Sequence, residues 1–285
     1  MTQQPVRFTI LGSGTSAGVP VIGCECDVCT SPDPRDKRFR PSACIETVDA
    51  DGQHRVILID TSPDLRMQSL RHGLNRCDDI LFTHHHVDHV FGLDDVRRFN
   101  VLMDSPITVH GEPITLQHVR RMFQHIFEPA SNTNKSFVAT LIPHAINVGA
   151  RFDLHGLSFM PIRFMHGRLP IIGFRIDRVT GGPGNGSDDP LPLAYCTDVS
   201  SIPPESWGML VGLKTLILDA LRYRHHPTHM TIDQAVDAAR QIGAERTYFT
   251  HMTHDVLHAS LEADLPDGVA PSHDGLTLGS LDGRQ

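Results

Sequence analysis

The chain has 285 residues, enough for one large domain or two small ones, and its 40% hydrophobic and 20% charged residues are ordinary for a globular protein. Its 33 acidic residues outnumber its 25 basic residues, and the net charge of −8 argues against a broad nucleic-acid-binding surface, which needs a basic face. Apolar runs stay below the roughly 18 residues of a membrane span. The N-terminus lacks a basic segment followed by an apolar one, so we expect a cytoplasmic protein without a membrane partner.

The first predicted strand, Val6 to Leu11, leads into a loop of small residues from Gly12 to Pro20. A nucleotide-binding P-loop would need Gly-Lys-Ser/Thr after it, and that is missing here. A tight turn beside a functional site is the better interpretation. Backbone N–H groups of this loop could still help to hold an anionic substrate.

Three cysteines follow with the spacing Cys-x-Cys-x-x-Cys, at Cys24, Cys26 and Cys29. Three thiolates this close can converge on one ion, and structural zinc needs four ligands, so a fourth must come from elsewhere. Reduced, unliganded thiols are the alternative. A zinc ion here would staple the loop at 23–41, which is charged, broken by prolines and poor in apolar residues.

Strands predicted at Ser42–Val48 and His54–Asp60 form a hairpin. The second is an inner strand, and Asp60 ends it close to the expected metal site. Asp60 is therefore predicted either to orient a ligand histidine or to cap the following turn. A helix is expected from Pro63 to Gly73.

A short apolar run over 79–83 then leads into the sequence His-His-His-Val-Asp-His at 84–89. His84, His86 and His89 contribute three imidazoles and Asp88 one carboxylate within six positions, which is the ligand mixture that borderline divalent metals favour. A His-x-His pair at a strand end points the rings of His84 and His86 the same way, and Asp88 and His89 on the following turn can face a second ion. The motif predicts two adjacent metal ions bound by His84, His86, Asp88 and His89.

A helix is predicted from Pro113 to Phe127, because its apolar residues recur on one side. These residues are Ile114, Leu116, Val119, Met122, Phe123 and Ile126. Strands of a second sheet are predicted at Phe137–Leu141, Arg151–Leu154 and Leu157–Phe164, and Pro170–Ile176 is expected to pair antiparallel. The glycine-rich segment 181–190 is predicted to be a mobile hairpin tip.

The C-terminal third contains three further predicted strands, at Leu191–Tyr195, Thr215–Asp219 and Glu245–Thr250. A helix capped by Thr231 is predicted from Ile232 to Ile242. His251 and His254 follow the last of these strands, and one of them can complete a metal pair while the other reaches the cysteine loop. The tail around 273–275 is expected to add an edge strand.

The pattern His84-x-His86-x-Asp88-His89 after an apolar strand resembles the H-x-H-x-D-H motif of the metallo-β-lactamase superfamily. The resemblance implies an α/β fold, a four-layered αβ/βα sandwich, with 1–285 as a single domain and the metal site at one edge between two sheets. It also implies a complete ligand set. In that set His84, His86 and His166 bind one metal ion, Asp88, His89 and His251 bind the other, and Asp198 bridges them.

The cysteine spacing together with His251-x-x-His254 narrows the resemblance to PhnP-like phosphodiesterases, cyclic-phosphate hydrolases related to ribonuclease Z. By that resemblance Cys24, Cys26, Cys29 and His254 hold one structural zinc ion, and His229 matches the catalytic histidine of the family. A homodimer is also implied. The segment 181–190 and the basic loop 222–226 depart from the family pattern, at positions where they could alter substrate access.

The ligand set suggests a hydrolase that acts on a small cyclic or diester phosphate. Two divalent ions, zinc or manganese, would generate a hydroxide that attacks phosphorus. Asp88 and His229 are the predicted catalytic residues, and His229 as an imidazolium would protonate the leaving oxygen or hold the phosphate. Arg222 and Arg224 are expected to neutralise a second phosphate of the substrate.

Three other kinds of protein share parts of this pattern. Metallo-β-lactamases and thioesterases share the first motif but need no cysteine loop. Ribonuclease Z shares the chemistry, yet tRNA binding should demand a basic surface that this acidic chain lacks. An accessory metalloprotein of cofactor biosynthesis, similar to pyrroloquinoline-quinone synthesis protein B, also carries a cysteine loop. The intact ligand set and His229 count against a role without catalysis.

Overall fold

The computed structural model describes residues 4–128, 130, 132–133, 137–179 and 188–281. Most of the hairpin tip predicted at 181–190 therefore lies outside the described residues. Within them, two β-sheets of seven strands each form the centre of the molecule. The first sheet contains β1 to β6 and β14, which are Val6–Gly12, Ser42–Val48, His54–Ile59, Asp79–Leu81, Ile107–Gly111, Leu141–Ala145 and Thr277–Ser280. The second contains β7 to β13, which are Phe152–Leu154, Leu157–His166, Leu169–Arg178, Leu193–Cys196, Thr215–Asp219, Arg246–Thr250 and Val269–Pro271.

The two sheets have the same mixed organisation. In the first, the order is β14-β1-β2-β3-β4-β5-β6, with antiparallel pairs up to β3 and parallel pairs from β3 to β6. In the second, β13-β12-β11-β10 are parallel and β10-β9-β8-β7 are antiparallel. Since parallel strands end at the same edge of a sheet, the residues that follow β3 and β4 gather at one edge, as do those that follow β10, β11 and β12.

Helices cover the outer faces of both sheets. The α-helices are Asp27–Thr30, Leu65–His72, Val87–Val90, Arg97–Met103, Pro113–Met122, Gln124–Phe127, Pro204–Trp207, Ile232–Ile242 and His258–Asp264. Short 3-10 helices lie at Pro34–Asp36, Phe91–Val96 and Gly208–Leu210. In the described part of the chain, every helix is too short or too polar to cross a lipid bilayer.

Alternation along the strands divides the core into layers. In β11, Leu216 and Leu218 pack with the helix Ile232–Ile242, while Ile217 between them faces the core shared by the two sheets. A third apolar cluster lies under the helices of the first sheet and includes Leu58, Phe82 and Val119. These layers form the four-layered α/β sandwich of the metallo-β-lactamase fold, as predicted.

Two predicted elements need correction. The helix predicted from Pro113 to Phe127 is broken at Phe123, whose backbone leaves the helical region at ψ 43° while its ring is buried in the core of the first sheet. The strand predicted at Phe137–Leu141 in the second sheet is instead Leu141–Ala145 in the first, because it pairs in parallel with β5. The edge strand predicted near the C-terminus is present as β14, and the cap at Thr231 is present as a full capping box.

Candidate metal centre

Seven imidazole and carboxylate side chains converge at strand ends of both sheets. The first sheet supplies the four motif residues after β4, and the second supplies His166 at the end of β8, Asp198 after β10 and His251 after β12. The candidate ligand atoms of His84, His86 and His166 lie within 4.8 Å of one another, and so do those of Asp88, His89, Asp198 and His251. Asp198 also lies within 4.8 Å of His166, so it is within reach of both groups. The fold thus brings together all seven residues predicted as ligands.

The buried nitrogens of this cluster have the surroundings expected of metal ligands. His84, His89 and His251 are at most 1% exposed, and Nε2 of each lacks a hydrogen-bond partner among the described residues. Nε2 of His89 lies 3.1 Å from Oδ2 of Asp198, and Nε2 of His251 lies 3.3 Å from Oδ1, without hydrogen-bond geometry. Each unpaired buried polar atom costs about 1–3 kcal/mol. The residues therefore fit divalent cations, which would satisfy these atoms together.

The carboxylates make the cluster electronegative. Burial acts to raise the pKa of Asp88 and Asp198, but the neighbouring imidazoles, led by His89 for Asp88 and by His251 for Asp198, hold both pKa values below their usual range. Burial keeps the pKa of His84 well below its usual value. At neutral pH both carboxylates are thus ionised in a buried site, an arrangement that attracts cations.

Asp60, which directly follows β3, orients two of the candidate ligands. Nδ1–H of His89 donates to Oδ2 of Asp60 at 2.7 Å, and the hydroxyl of Thr83 donates to the same oxygen at 2.8 Å. Nδ1 of His84 lies 3.0 Å from that hydroxyl. Holding Nδ1 in this way leaves Nε2 of both rings free for a metal ion. Of the two roles predicted for Asp60, the hydrogen bonds favour that of orienting a ligand histidine.

Three strand-end residues of the site have left-handed backbones. Asp60, Asp198 and His251 have φ values of 61°, 61° and 63°, in the region that favours glycine. Such conformations cost about 1–3 kcal/mol each and concentrate at functional sites. Two of these residues, Asp198 and His251, belong to the ligand cluster, and the third, Asp60, supports His89.

His229 lies beside the cluster, on the loop before the helix Ile232–Ile242. Its ring centroid is 4.6 Å from that of His166 and 4.7 Å from that of His251. Nδ1 of His229 lies 3.2 Å from Oδ2 of Asp219, a fully buried residue at the end of β11. Burial lowers the pKa of His229 and raises that of Asp219. Both shifts favour an uncharged pair at rest, rather than the imidazolium predicted from the sequence.

The sequence analysis gave Asp219 no role. Its position could have indicated a role in the site, because Asp219 ends the apolar strand β11 much as Asp60 follows β3 and Asp198 follows β10. Asp219 also accepts the backbone N–H of Met230 at 3.1 Å, which ties β11 to the loop that carries His229. It is therefore the residue that holds His229 in place.

The three cysteines of the 23–41 loop meet His254. Sγ atoms of Cys24, Cys26 and Cys29 lie 3.2, 3.5 and 3.5 Å from Nδ1 of His254, so this histidine, and not His251, reaches the thiols. The backbone N–H of Cys29 is the main cause that lowers the pKa of Cys26 to about 6, which favours a thiolate at neutral pH. Three thiols and one imidazole form a donor set that suits zinc.

A buried arginine joins this loop to the segment after β12. Arg38 is 2% exposed, and its guanidinium donates to the backbone oxygens of Thr253 and Val256 at 3.0 and 2.8 Å. It also pairs with Asp36 at 3.0 Å. The loop of cysteines and the segment carrying His251 and His254 are thereby held together without any metal.

The two arginines predicted to bind substrate share one acidic neighbour. Arg224 pairs with Asp255 at 3.1 Å and Arg222 approaches the same carboxylate at 3.9 Å, so one negative charge faces two positive charges and the loop keeps a net positive charge. By contrast, Arg168 is exposed in the two-residue turn between β8 and β9, two residues after His166. Among the described residues Arg168 has no ion-pair partner, and the sequence analysis assigned it no role.

Residues 55–252 match the family profile described as a Beta-lactamase superfamily domain. The chain therefore belongs to the metallo-β-lactamase superfamily, whose members are hydrolases with divalent metal sites. Within it the chain is PhnP-like: it is 38% identical to a solved structure described as a new diphosphatase from the PhnP family, with a TM-score of 0.84 and 98% of both chains covered.

Two curated relatives have other names. An octanoyltransferase of Porphyromonas gingivalis is 37% identical over 95% of this chain, and the chain spans about half of that relative, 51% of its length. Coenzyme PQQ synthesis protein B of Methylobacterium radiotolerans is 32% identical, with 96% of this chain and 99% of that protein covered. The names of these two relatives refer to different processes.

Proposed function

We propose that this protein is a phosphodiesterase that hydrolyses a small cyclic or diester phosphate. The observation that carries the proposal is the buried pair of His229 and Asp219 beside a set of seven convergent ligands, because this places a proton donor next to a site for divalent cations. The PhnP-family diphosphatase, a relative named for phosphoryl hydrolysis, supports the same class of reaction.

In this proposal the two ligand groups hold one divalent ion each, and Asp198 lies between them. The ions, zinc or manganese, would supply Lewis-acid activation of the phosphoryl group and of water. Asp60 fixes the tautomers of His84 and His89, and the carbonyl of Thr228 accepts Nδ1–H of His166 at 2.8 Å. These contacts orient the ligands before substrate arrives.

His229 acts as the general acid in the proposed reaction. Its Nδ1 faces Asp219, so the proton available for the leaving oxygen is on Nε2. As that proton moves to the leaving oxygen, Nδ1 accepts the proton of the Asp219 carboxyl, which becomes a carboxylate. The pair returns to its resting state when product leaves and a proton is taken up from solvent. General acid catalysis of this kind typically contributes about 10²- to 10⁴-fold.

Arg168, in the turn after His166, and Arg222 and Arg224, on the basic loop before His229, are the cations proposed to contact the substrate. The cysteine site at Cys24, Cys26, Cys29 and His254 is proposed to hold a structural zinc ion. With these assignments, each chain would bind three metal ions.

The test is hydrolysis of bis(p-nitrophenyl) phosphate by protein loaded with manganese or with zinc. We expect wild type to turn over and His229→Ala to lose about 10²- to 10⁴-fold in kcat with its metal content unchanged. His225→Ala, which removes an exposed imidazole of the same loop, is the matched control and should retain activity. Absence of turnover with full metal occupancy would reject the phosphodiesterase and favour an accessory role.

A second candidate is hydrolysis of an acyl thioester, favoured by the octanoyltransferase relative. The same metal centre could activate water toward a thioester carbonyl. Hydrolysis of octanoyl-coenzyme A by the same preparations distinguishes the two, because a thioesterase would cleave it faster than the phosphodiester.

A further inference from the structure

The outer side of the second sheet carries a groove between two helices. The helices Ile232–Ile242 and His258–Asp264 line it, together with Tyr223, Leu265 and Pro266, and its volume is about 500 Å³. A volume between about 300 and 1,000 Å³ is typical of sites for small molecules. The residues that line the groove are all different from those of the two candidate metal sites, so the groove is a separate feature of the molecule.

Two pairs of apolar side chains line this groove. Ile232 and Val236 are four residues apart on the first helix, and Leu261 and Leu265 are four residues apart at the second, so each pair lies on one side of its helix. Ile232 and Leu261 are buried, whereas Val236 and Leu265 are only partly buried. The groove therefore offers apolar surface that a ligand would cover.

The polar part of the lining is acidic. Asp233 and Asp264 are exposed, and among the described residues neither has an ion-pair partner. Arg240 also lines the groove, but it already pairs with Asp237 at 3.2 Å. Two carboxylates are therefore available to a ligand that carries a positive charge.

Tyr223 adds an aromatic ring beside these carboxylates. Its side chain is 47% exposed, and burial together with the charges of Asp264 and Asp233 raises the pKa of Tyr223, which places both carboxylates near its hydroxyl. The arginines on either side of it in the chain, Arg222 and Arg224, are not part of the lining. Because the face of an aromatic ring attracts ammonium groups, the ring and the carboxylates together suit a cation.

The groove adjoins both ends of the loop that carries His229. Tyr223 lies near the start of that loop and Ile232 directly follows its end. The backbone N–H of Ile232 donates to the carbonyl of Arg222 at 3.1 Å, which joins the two ends. A ligand that contacts Tyr223 and Ile232 would therefore bridge the base of this loop.

We propose that the groove binds a small organic cation, an ammonium group that carries an apolar chain or ring. The ammonium group contacts the ring of Tyr223 and the carboxylates of Asp233 and Asp264, and the apolar part covers Val236 and Leu265. This inference is independent of the proposed reaction, because the groove shares no residue with the set of candidate metal ligands.

The test compares two ligands that have the same shape and differ in charge. Titration followed by NMR spectroscopy would measure Kd of the full chain for choline and for its neutral isostere 3,3-dimethyl-1-butanol. We expect choline to bind about tenfold more tightly, since only its quaternary ammonium group is attracted by the ring and the carboxylates. Benzyltrimethylammonium should bind more tightly than choline, because its phenyl ring buries additional apolar area.

Variants of the lining identify where the cation binds. Tyr223→Leu, and a double variant with Asp233→Asn and Asp264→Asn, should each reduce the preference for choline several-fold. Tyr223→Phe keeps the ring and should retain the preference. Asp153→Asn, which removes an exposed carboxylate on β7 outside the groove, is the matched control and should leave the preference unchanged.

Equal Kd values for choline and its neutral isostere would overturn the proposal, as would a preference that Tyr223→Leu and the double variant both retain. A lysine-rich peptide that binds more tightly than benzyltrimethylammonium, and loses that affinity in the double variant, would also overturn it and assign the groove to a protein partner. Because binding is measured without turnover, this proposal and the proposed phosphodiesterase can fail separately.

Discussion

Two buried aspartates at strand ends each hold a histidine by its Nδ1 atom. Asp60 holds His89 at 2.7 Å, and Asp219 holds His229 at 3.2 Å. The first supports a candidate metal ligand and the second supports the proposed acid. Their removal should therefore have different consequences.

Replacement of Asp60 should weaken metal binding. In Asp60→Ala both His89 and Thr83 lose their partner, so the rings of His89 and His84 are no longer fixed with Nε2 toward the cluster. We expect a 10- to 100-fold loss of metal affinity, as is typical when such a supporting residue is removed. Competition with a chelator measures it. Unchanged affinity would show that the ligands are held by packing alone.

Replacement of Asp219 should slow the reaction without removing metal. Asp219→Asn keeps the shape of the side chain but removes the proton that Nδ1 of His229 is expected to accept. We expect kcat on bis(p-nitrophenyl) phosphate to fall about 10²-fold, with KM little changed and an altered pH profile of kcat. Asp237→Asn is the control, because its exposed carboxylate pairs with Arg240 on the outer helix Ile232–Ile242. A change in KM alone would point to a structural role for Asp219.

At the scale of elements, the loop of cysteines is held by a buried ion pair as well as by its proposed zinc. Arg38→Met would leave Asp36 buried without its ion-pair partner, and breaking one side of such a pair costs about 3–5 kcal/mol. We expect a corresponding fall in the free energy of unfolding and the loss of about one zinc ion per chain. Arg35→Met is the matched control, since Arg35 pairs with partly exposed Asp33 and Glu262 and should cost at most about 1 kcal/mol. Full zinc content in Arg38→Met would contradict this coupling.

Elements with strong apolar periodicity could be predicted from the sequence, and others could not. The buried strands β3 and β11 are continuous apolar runs, and their predicted bounds agree within a residue. β6 is mostly exposed and has little apolar signal, so only its parallel pairing with β5 identifies it. The break at Phe123 depends on tertiary packing, which periodicity within one helix does not reveal.

The site shows the same division between local and distant information. The motif after β4 is contiguous, so its ligands were evident from the sequence. The partner of His229 is Asp219, ten positions away, and an aspartate at a strand end can have many roles. That His254 and not His251 reaches the thiols depends on contacts between residues more than 200 positions apart. The roles predicted for His166, Asp198 and His229 come from the resemblance to the family more than from the residue pattern around them.

At the scale of the whole molecule, Asp274 joins distant segments. One of its carboxylate oxygens accepts from the backbone N–H and the hydroxyl of Ser13, and the other accepts from the backbone N–H of Phe39 at 2.7 Å. These contacts connect the loop after β1, the loop of cysteines and the C-terminal tail. Burial nevertheless raises the pKa of Asp274 to about 6.

That raised pKa predicts a defined pH dependence of stability. Between pH 4 and pH 6 the folded protein retains a proton at Asp274 that the unfolded chain releases, so the contribution of this group to the free energy of unfolding falls as pH rises. The fall is at most about 3 kcal/mol and is complete above pH 6. Denaturant unfolding of wild type and Asp274→Asn from pH 4 to pH 7 tests it, with excess metal throughout. A difference between the two proteins that stays constant with pH would contradict the assignment.

The placement of β14 has a consequence for the integrity of the molecule. The first half of the chain builds the first sheet up to β6, the second half builds the second sheet, and then the C-terminal strand crosses back to pair with β1. A single backbone cleavage between β6 and β7 would therefore not release two independent fragments, since the second fragment would still contribute a strand to the first. Such a nicked protein should migrate as one particle until it is denatured, and a pair of separately expressed halves should recover the complete ligand set only by reassembling.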